Sequence, residues 1–334
     1  MHGRAGPDRE GPRPLERPWA LVGWEVANME GMSAVQRREN AAGWVFAMPV
    51  ILGWIIFVAG PVLVTVFLGL TDYTVGGKPL FVGLENYRRF FLSADPSFFA
   101  SVRATALYGF LSVPACILVS FLLALLLNNK IRLRGLFRAA LFLPVVIPLA
   151  ASSVIWMWLF QPDFGVVNFV VRTLGLPGPQ WLASERTVIP TMVLMNVWLT
   201  GNSIVIFLAA LQGVPRHLYE ALEVDGGNAL HKLVYITLPM VSPTIFFMVI
   251  TGFINALQAF VQPAIMTSDA YHFGGPGNSS LLYVLFIYRE AFRFSKLGGA
   301  SAAAVLLFVV IAVLTWTFFK MSRSLVYYEG GERT

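Results

Sequence analysis

The sequence is poor in charge, in cysteine and in histidine, and each shortage excludes a class of protein. Only 13% of its 334 residues are charged, against about 25% in an average soluble domain. The single cysteine, Cys116, excludes an intrachain disulfide and any multi-cysteine metal site, and we interpret it as a small buried side chain. The four histidines are scattered along the chain. A soluble domain and a zinc protein are therefore both disfavoured.

Motifs that carry out chemistry are also missing. There is no G-x-x-x-x-G-K-[ST] phosphate loop, because "GGKPLFVG" has a lysine without the required spacing. Neither H-E-x-x-H nor a G-x-S-x-G nucleophile elbow occurs. Glu220, Glu223 and Asp225 could bind a divalent metal, but they lie on one short segment without further ligands. We predict that the chain is not an enzyme and holds no metal or cofactor.

Long apolar segments are what the sequence has in abundance, since 57% of the residues are hydrophobic. A membrane-spanning helix needs about 20 consecutive apolar residues. Six segments qualify, and they predict an all-α fold, a polytopic membrane bundle of six transmembrane helices. They are residues 43–71, 105–127, 139–160, 189–211, 242–266 and 299–319.

The basic residues predict how these helices are oriented. The net charge of +6 is expected for loops that fix membrane orientation, so we predict no nucleic-acid partner. The short loop 128–138 carries Lys130, Arg132, Arg134 and Arg138, which places it in the cytoplasm. Six spans then predict a multi-pass protein of the cell (inner) membrane, surrounded by lipid, with both termini and the loop 212–239 cytoplasmic.

One segment outside these spans leaves two alternatives open. The stretch "SLLYVLFIYREAFRFSKL" lies in the predicted outer loop 267–298 and is rich in aromatic and basic residues. This composition favours a helix lying at the membrane interface. The alternative is a short seventh membrane segment, which would place the carboxy terminus outside the cell.

The ends of the chain differ from its apolar centre. Residues 1–40 include "GRAGPDREGPRPLERP", a proline- and charge-rich tract that predicts a disordered cytoplasmic tail. The alternative is that translation starts at Met29 or Met32, in which case the preceding tract would be a mis-assigned start. We predict a transmembrane domain at residues 41–323 and a cytoplasmic tail at residues 324–334.

The loop "HLYEALEVDGGNALHKLVYITLP", residues 217–239, is the most polar interruption of the apolar pattern. It predicts a short helix, a sharp turn and a second helix. Gly226 and Gly227 permit the turn because glycine adopts a positive φ without steric conflict. Glu220 and Glu223 give the first helix an acidic side, which is either a solvated face or a surface for a partner.

The spacing within this loop resembles a family motif. Three residues separate Glu220, Ala221 and Leu222 from Gly226. Nine residues then separate Gly226 from Ile236, and one residue separates Ile236 from Leu238 and Pro239. This pattern resembles the cytoplasmic "EAA" loop of ABC importer permeases, which reads E-A-A, three residues, G, nine residues, I, one residue, L-P. The one departure is Leu222, where the motif has a second alanine.

Further stretches resemble the carbohydrate branch of these permeases, the maltose, lactose and glycerol-phosphate type of binding-protein-dependent inner-membrane component. They are "FVGLENYRRFF", "LFRAALFLPVVIP", "DFGVVN", "VWLTGNSIVIFLAALQGVP", "GGPGNSS" and "IYREAF". The resemblance covers roughly residues 43–323 and implies the type I ABC importer permease fold. "FVGLENY" is similar to the first of the two permeases in such systems, which implies a heterodimer with a second permease.

The resemblance also implies partners and residue roles. The loop 215–239 would couple the permease to two ATPase subunits, which hold ATP and Mg²⁺, and a periplasmic or extracellular solute-binding protein would deliver a sugar or oligosaccharide. Glu220 would pair with a basic residue of the ATPase, and Gly226 would shape the turn. The rest of the implied coupling set is Ala221, Asp225, Ile236, Leu238 and Pro239. The alternatives are a permease of the same fold for glycerol phosphate or another non-sugar solute, and a membrane enzyme or channel without ATPase partners.

Polar side chains inside the predicted helices are candidates for the substrate pathway, because such residues tend to face a cavity. Asn255, Gln258 and Gln262 share one face of the fifth helix, and Asn196, Thr200 and Asn202 lie in the fourth. Amides and hydroxyls suit sugar hydroxyls, and aromatic rings can cover a pyranose face. The aromatic candidates are Phe253, Phe260, Trp198 and Tyr283. The alternative role for the polar residues is hydrogen bonding between helices.

Overall fold

A computed structural model describes residues 34–92, 95–129, 132–267 and 273–325. The chain divides into two compact units, residues 1–63 and 64–334. The described part of the first unit contains helix α1 (Ala34–Trp54), a π-helical turn (Ile55–Ala59) and the start of α2 (Gly60–Gly69). The wide π turn directly precedes Pro61, whose ring would clash with the carbonyl of a regular helical turn. Helix α1 begins before residue 41, where we predicted the transmembrane domain to start.

In the described part of the second unit, all regular elements are helical except one pair of two-residue antiparallel strands, β1 and β2. It also contains π-helical turns at Lys232–Thr237 and Arg289–Arg293 and a 3₁₀ turn at Pro276–Asn278. In chain order its elements are β1 (Thr71–Asp72), β2 (Leu80–Phe81), α3 (Glu85–Leu92), α4 (Pro96–Asn128), α5 (Arg134–Val146), α6 (Leu149–Leu159), α7 (Val166–Thr173), α8 (Val188–Trp198), α9 (Gly201–Gly213), α10 (Arg216–Val224), α11 (Ala229–His231), α12 (Leu238–Leu257), α13 (Val261–Met266), α14 (Tyr283–Tyr288) and α15 (Leu297–Leu325).

Helix α4 is the central element of the second unit and packs against α8, α9, α12 and α14. Its start is fixed by Asp95, whose carboxylate accepts a hydrogen bond from the backbone N–H of Ser97 at 2.9 Å, with Pro96 at the first helical position. Near its other end, Phe121 contacts Phe207 of α9 edge to face, with 5.6 Å between ring centroids. This long apolar helix is therefore a common packing partner for several helices of the second unit.

The described residues contain four continuous helical spans long and apolar enough to cross a membrane, or six if each of two bent pairs counts as one span. The continuous spans are Ala42–Gly69, Pro96–Asn128, Ala229–Met266 and Leu297–Ser322. The predicted spans at 139–160 and 189–211 are not single helices. The first is α5 and α6, bent by 99°, and the second is α8 and α9, bent by 53°.

Proline explains the larger bend. Ile147 is extended (φ −76°, ψ 127°) because the ring of Pro148 disfavours the helical conformation of the preceding residue. Pro148 is itself extended and cannot donate a backbone hydrogen bond, so α6 starts afresh at Leu149. The sequence "LPVVIP" contains the two prolines that frame this break, Pro144 and Pro148.

Two buried asparagines in the family-like stretches hold the loops that follow α2 and α6. Asn86 of "FVGLENY" donates to the carbonyl oxygens of Gly69 (3.0 Å) and Thr71 (2.8 Å), which fixes the chain after α2. Asn168 of "DFGVVN" donates to the carbonyls of Pro162 and Pro179 and accepts from the indole N–H of Trp181 at 2.7 Å. Both asparagines are therefore structural, since each satisfies several backbone groups at a chain reversal.

The segment predicted to lie at the membrane interface is packed inside the protein. Leu285 and Phe286 of α14 are fully buried, and α14 contacts α4 and α15. Arg289 and Glu290 follow in a π-helical turn and are buried too. Burial raises the pKa of the Glu290 carboxyl, although Lys296, Arg289 and Arg89 nearby act in the opposite direction. Tyr283 and Phe286 therefore cover a core, whereas Phe292 and Phe294 are exposed, and the position of this segment relative to the membrane interface stays a prediction.

Candidate functional site

A polar cavity of about 560 Å³ opens between α4, α8, α9, α12 and α13. Its size lies in the range of pockets that take small molecules, about 300–1,000 Å³. Amide, hydroxyl and thiol groups from three sides converge on it. The polar residues lining it are Tyr108, Ser112, Cys116, Asn196, Thr200, Asn202, Ser203, Thr251, Asn255, Gln258 and Gln262.

The cavity lies where helices are interrupted. Helix α8 ends at Trp198 and α9 begins at Gly201, so that Leu199 and Thr200 form the bend. Helix α12 ends at Leu257, and residues 258–260 separate it from α13. Irregular backbone inside a membrane is tolerated where it lines a cavity, and broken helices commonly form the substrate sites of transporters. The breaks expose polar backbone and side chains that a continuous apolar helix would hide.

All six residues predicted for the substrate pathway line this cavity. Asn202, Asn255 and Gln258 are exposed to it, whereas Thr200 and Gln262 are buried in its wall. Asn196 is tied across the cavity wall to α4. Its Nδ2 donates to Ser112 Oγ at 2.6 Å and to Cys116 Sγ at 3.5 Å. Asn196 therefore holds α8 to α4, and the contact of any of the six with a substrate stays a prediction.

The prediction missed a polar stripe on α4. Tyr108, Ser112 and Cys116 are spaced four residues apart and all line the cavity. This spacing in an otherwise apolar helix was a usable signal, because residues at i and i+4 share a face. Of the aromatic candidates only Phe260 lines the cavity. Trp198 packs on Trp156, Phe253 on Phe110, and Tyr283 on Phe98.

The cavity lining is neutral. Among the residues that the structure describes, no aspartate, glutamate, lysine, arginine or histidine contributes to it. An ionic ligand would find no counter-charge from this chain, whereas a ligand rich in hydroxyl groups would find both donors and acceptors. The lining therefore suits a neutral, polyhydroxylated solute.

The hairpin at residues 216–237 is the second part of the site, and its turn has a defined geometry. The N–H of Gly227 bonds to the carbonyl of Leu222 (2.8 Å), and the N–H of Gly226 to that of Glu223 (3.1 Å). This is the Schellman arrangement that ends a helix with a left-handed residue, and Gly226 has φ +79°. A Cβ on Gly227 would lie 2.5 Å from Leu222 Cγ and 2.8 Å from the Leu222 carbonyl oxygen, so position 227 has no room for a side chain.

The two arms of the hairpin are joined to each other. Lys232 forms an ion pair with Glu223 of α10, and the Tyr219 hydroxyl lies 3.0 Å from Thr237 Oγ1. Asn228 starts the second arm by accepting from the N–H of His231 at 3.0 Å, and His231 Nδ1 accepts from the N–H of Asn228 at 3.3 Å. These contacts make the hairpin a stiff unit.

The predicted coupling residues fall into two groups. Glu220, Ala221, Asp225 and Gly226 are exposed on the first arm and the turn. Ile236, Leu238 and Pro239 are half-buried. Ile236 and Leu238 pack against the core that includes Phe121, Leu211 and Val241 and therefore anchor the hairpin to the bundle. Large exposed side chains flank the tip, namely Val224 (88% exposed), Leu230 and Tyr235.

The hairpin and the cavity are directly connected through the chain. Helix α9 carries Asn202 at the cavity and leads to α10, and α12 leads from the second arm back to Asn255. The continuous helical span Ala229–Met266 contains both the second arm and the cavity residues of α12 and α13. From Leu238 to Asn255 the rise is about 26 Å at about 1.5 Å per residue. A displacement of the hairpin would therefore displace two cavity walls.

A multi-pass helical chain with a neutral cavity at helix breaks, joined to an exposed stiff hairpin, defines a membrane transport subunit. Residues 116–324 match the family model described as binding-protein-dependent transport system inner membrane component, and the chain belongs to this family. It is 33% identical to a probable ABC transporter permease protein, YesP, of Bacillus subtilis, over 89% of this chain and 95% of that protein.

Two further comparisons agree. The lactose transport system permease protein LacF of Rhizobium radiobacter is 34% identical over 87% of this chain and 97% of its own length. Among solved structures, a chain of a bacterial ABC transporter involved in the import of the acidic polysaccharide alginate superposes with a TM-score of 0.74. It is 23% identical over 87% of this chain and 99% of that chain. This likeness shows the type I importer permease fold.

Proposed function

We propose that the chain forms half of the translocation pathway for a neutral sugar or oligosaccharide, which a solute-binding protein delivers. The neutral, amide- and hydroxyl-lined cavity of about 560 Å³ is the observation that carries this proposal. Relatives named for lactose, arabinooligosaccharides and trehalose/maltose support it. The exposed side chains of Asn202, Asn255 and Gln258 can hydrogen-bond sugar hydroxyls that have lost their water, which offsets the desolvation of both.

The second candidate substrate is glycerol phosphate. A relative named as an sn-glycerol-3-phosphate transport system permease is 31% identical to this chain. A phosphate group would need a basic partner in the low-dielectric cavity. Because no lysine or arginine among the described residues lines the cavity, that charge would have to come from the second permease. The geometry of this chain therefore favours the neutral solute.

The energy for transport comes, in this proposal, from two ATPase subunits that bind ATP and Mg²⁺ and face the hairpin in the cytoplasm. Both termini of the chain lie on that side, and a second, different permease completes the pathway. The exposed Glu220 has no ion-pair partner among the described residues, so it is available to a basic residue of an ATPase. The apolar side chains of Val224 and Leu230 beside it suit the rim of a cleft.

The connection between hairpin and cavity suggests how the two permeases alternate between inward-open and outward-open forms. Closure of the ATPase pair moves the hairpin, and the internal ion pair and capping contacts keep the hairpin from deforming. The motion then passes through α9 and α12 as rigid elements. The walls that carry Asn202 and Asn255 shift together, which changes access to the cavity.

Substrate should protect Cys116 from alkylation. Cys116 is the only cysteine of the chain, is half-buried and lines the cavity. In the complex with its partners, the transported sugar at ten times its dissociation constant should slow N-ethylmaleimide labelling of Cys116 by roughly tenfold through mass action. Peptide mass spectrometry measures the modified fraction, and Cys116→Ser is the blank. Protection by glycerol phosphate but by no sugar would select the second candidate, and protection by neither would overturn the assignment of the cavity.

Glu220→Ala should weaken the association with the ATPase. Loss of one partner from a desolvated charge pair costs about 2 kcal/mol or more, or roughly 30-fold in affinity. The measurement is the ratio of ATPase to permease after purification, together with the affinity for added ATPase. Asp163→Ala removes an equally exposed carboxylate from a predicted outer loop and should change neither. Unchanged affinity in Glu220→Ala would contradict the pairing.

A further inference from the structure

A second cavity, of about 370 Å³, lies between α4, α5 and α9, on the side of α9 that faces away from the polar cavity. Apolar side chains form most of its wall, including Leu127, Phe142, Val205 and Leu208. Phe142 and Val205 are 41% and 52% exposed, so the cavity is a groove open at the side of the bundle. Such a groove at membrane depth faces hydrocarbon rather than water.

The depth of the groove matches one leaflet of a bilayer. Helices α5 and α9 touch at Gly201, where a Cβ would lie 2.6 Å from the carbonyl oxygen of Leu141, and the groove opens from that contact toward Gln212. The eleven residue steps from Gly201 to Gln212 rise by about 16 Å. Half of a hydrocarbon core of about 30 Å is about 15 Å. With Gln212 at the predicted cytoplasmic surface, the contact at Gly201 would therefore lie near the bilayer centre.

Two arginines stand at the surface end of the groove. Arg134 and Arg138 are one helical turn apart at the start of α5, and both converge on Gln212. With the Gln212 amide turned so that its oxygen faces them, Oε1 accepts from Arg138 Nη2 at 3.2 Å and from Arg134 Nη2 at 3.1 Å. Neither arginine forms an ion pair with a carboxylate in the described ranges, and Arg134 Nε is buried without a partner. Two positive charges thus share one neutral acceptor.

The start of α5 adds unpaired donors at the same place. The residue before the helix, Leu133, is left-handed and provides no side-chain cap, so the first N–H groups of α5 have no side-chain acceptor. Gly135 has open space around it, with no atom within 4 Å of an added Cβ. An anion can therefore approach both the helix start and the guanidinium groups.

We propose that this groove binds an anionic phospholipid of the cytoplasmic leaflet, with its phosphate at Arg134 and Arg138 and one acyl chain along α5 and α9. Basic residues between membrane helices at the cytoplasmic surface are a recognised setting for acidic headgroups. The apolar groove would hold the acyl chain, and the depth of the groove fits the length of that chain. The two arginines, which have no carboxylate partner in the described ranges, would bind the headgroup. The lipid would also stabilise the packing of α5 against α9.

The test uses the full chain in its purified complex, reconstituted into phosphatidylcholine vesicles that contain a photoactivatable phosphatidylglycerol with the reactive group on the acyl chain. Crosslinks should map to the peptides that contain Phe142 and Val205. Each basic residue near the surface contributes about fivefold to binding of an acidic lipid. Arg134→Gln/Arg138→Gln should therefore reduce this labelling by at least about tenfold. Inorganic phosphate at millimolar concentration should not compete, because it lacks the acyl chain.

Two controls separate selective binding from misfolding and from general lipid contact. Lys78→Gln/Arg186→Gln removes two exposed charges from the predicted outer side and should leave labelling unchanged. Ala209→Phe keeps both arginines but fills the groove, and it should abolish the same crosslinks. Equal labelling by a phosphatidylcholine probe, labelling that survives both groove variants, or crosslinks from the groove to another protein subunit would each overturn the proposal. Competition by phosphate alone would also do so.

Discussion

Gly226→Val is expected to abolish sugar uptake while the chain still inserts and assembles. Gly226 has φ +79°, a conformation that costs an L-residue about 1–2 kcal/mol and is a true outlier for a β-branched side chain. The added side chain meets no neighbouring atom, so the strain is confined to the backbone of the turn. The hairpin would change shape at its tip while its anchors at Ile236 and Leu238 stay packed.

The measurement is ATP-dependent uptake of labelled sugar into proteoliposomes, with ATP hydrolysis recorded in parallel. Gly226→Asn is the matched control, because asparagine is the other residue that tolerates this position at a helix end, and it should retain most of the uptake. In the complex that contains Gly226→Val, we expect the ATPase subunits to hydrolyse ATP without response to substrate or to lose hydrolysis altogether. Uptake at the wild-type rate in Gly226→Val would contradict the role of the turn.

Asn255→Leu/Gln258→Leu should lower the uptake rate at subsaturating sugar by about 30-fold or more. Both side chains are exposed to the cavity from α12 and the break that follows it. A sugar hydroxyl left without its partner in a dry site loses about 1–3 kcal/mol, and two such losses add to about 2 kcal/mol or more, a factor of about 30 or more. Leucine keeps the approximate volume and the membrane character of the segment, so assembly with the partners should be unaffected.

Thr317→Val provides the control for this pair of changes. Thr317 is a polar residue of α15 whose hydroxyl donates to the carbonyl of Val313 in its own helix, and it does not line the cavity. Its replacement should leave uptake within about twofold of the wild type, as for most surface substitutions. Wild-type uptake by the double variant would mean that Asn255 and Gln258 have only a packing role and that the substrate passes elsewhere.

The sequence predicts the helical class and the approximate place of every membrane segment, because apolar run length follows from the thickness of the bilayer. The six polar residues predicted for the substrate pathway come from two distant segments, and all of them line one cavity. Their spacing on each helix is readable from the period of 3.6 residues. The glycine turn follows equally from local chemistry, since Gly226 and Gly227 interrupt helical spacing after an acidic helix.

Other features depend on contacts between segments and could not be predicted from local pattern. Hydropathy shows no interruption at Leu199–Thr200, where packing of Gly201 against α5 accompanies the bend. The ion pair between Glu223 and Lys232 depends on how the hairpin folds, so the local sequence pattern could not predict it. The burial of α14 could not be predicted for the same reason. The aromatic pattern of α14 is the same whether its rings face lipid or a core, and only the neighbours α4 and α15 decide between them.

The division of the coupling residues into two groups is also a result of tertiary structure. Ile236 and Leu238 are spaced two residues apart from each other within a segment whose apolar period is ambiguous. Their packing against Phe121 and Leu211 shows an anchoring role, whereas Glu220 and Asp225 are exposed, and their contact with a partner stays a prediction. A substitution at Ile236 should therefore affect folding, and one at Glu220 should affect association. The Gly226 variants test the mechanical link between the two groups.

The most direct test of the whole account is purification of the chain from its native membrane in mild detergent, with mass spectrometry of every accompanying subunit and measurement of ATP hydrolysis. The account predicts a second permease and an ATPase in fixed proportion, with hydrolysis stimulated by a solute-binding protein loaded with sugar. A chain that purifies alone and moves solute across vesicles without nucleotide would contradict it, since the hairpin at residues 216–237 would then have no partner.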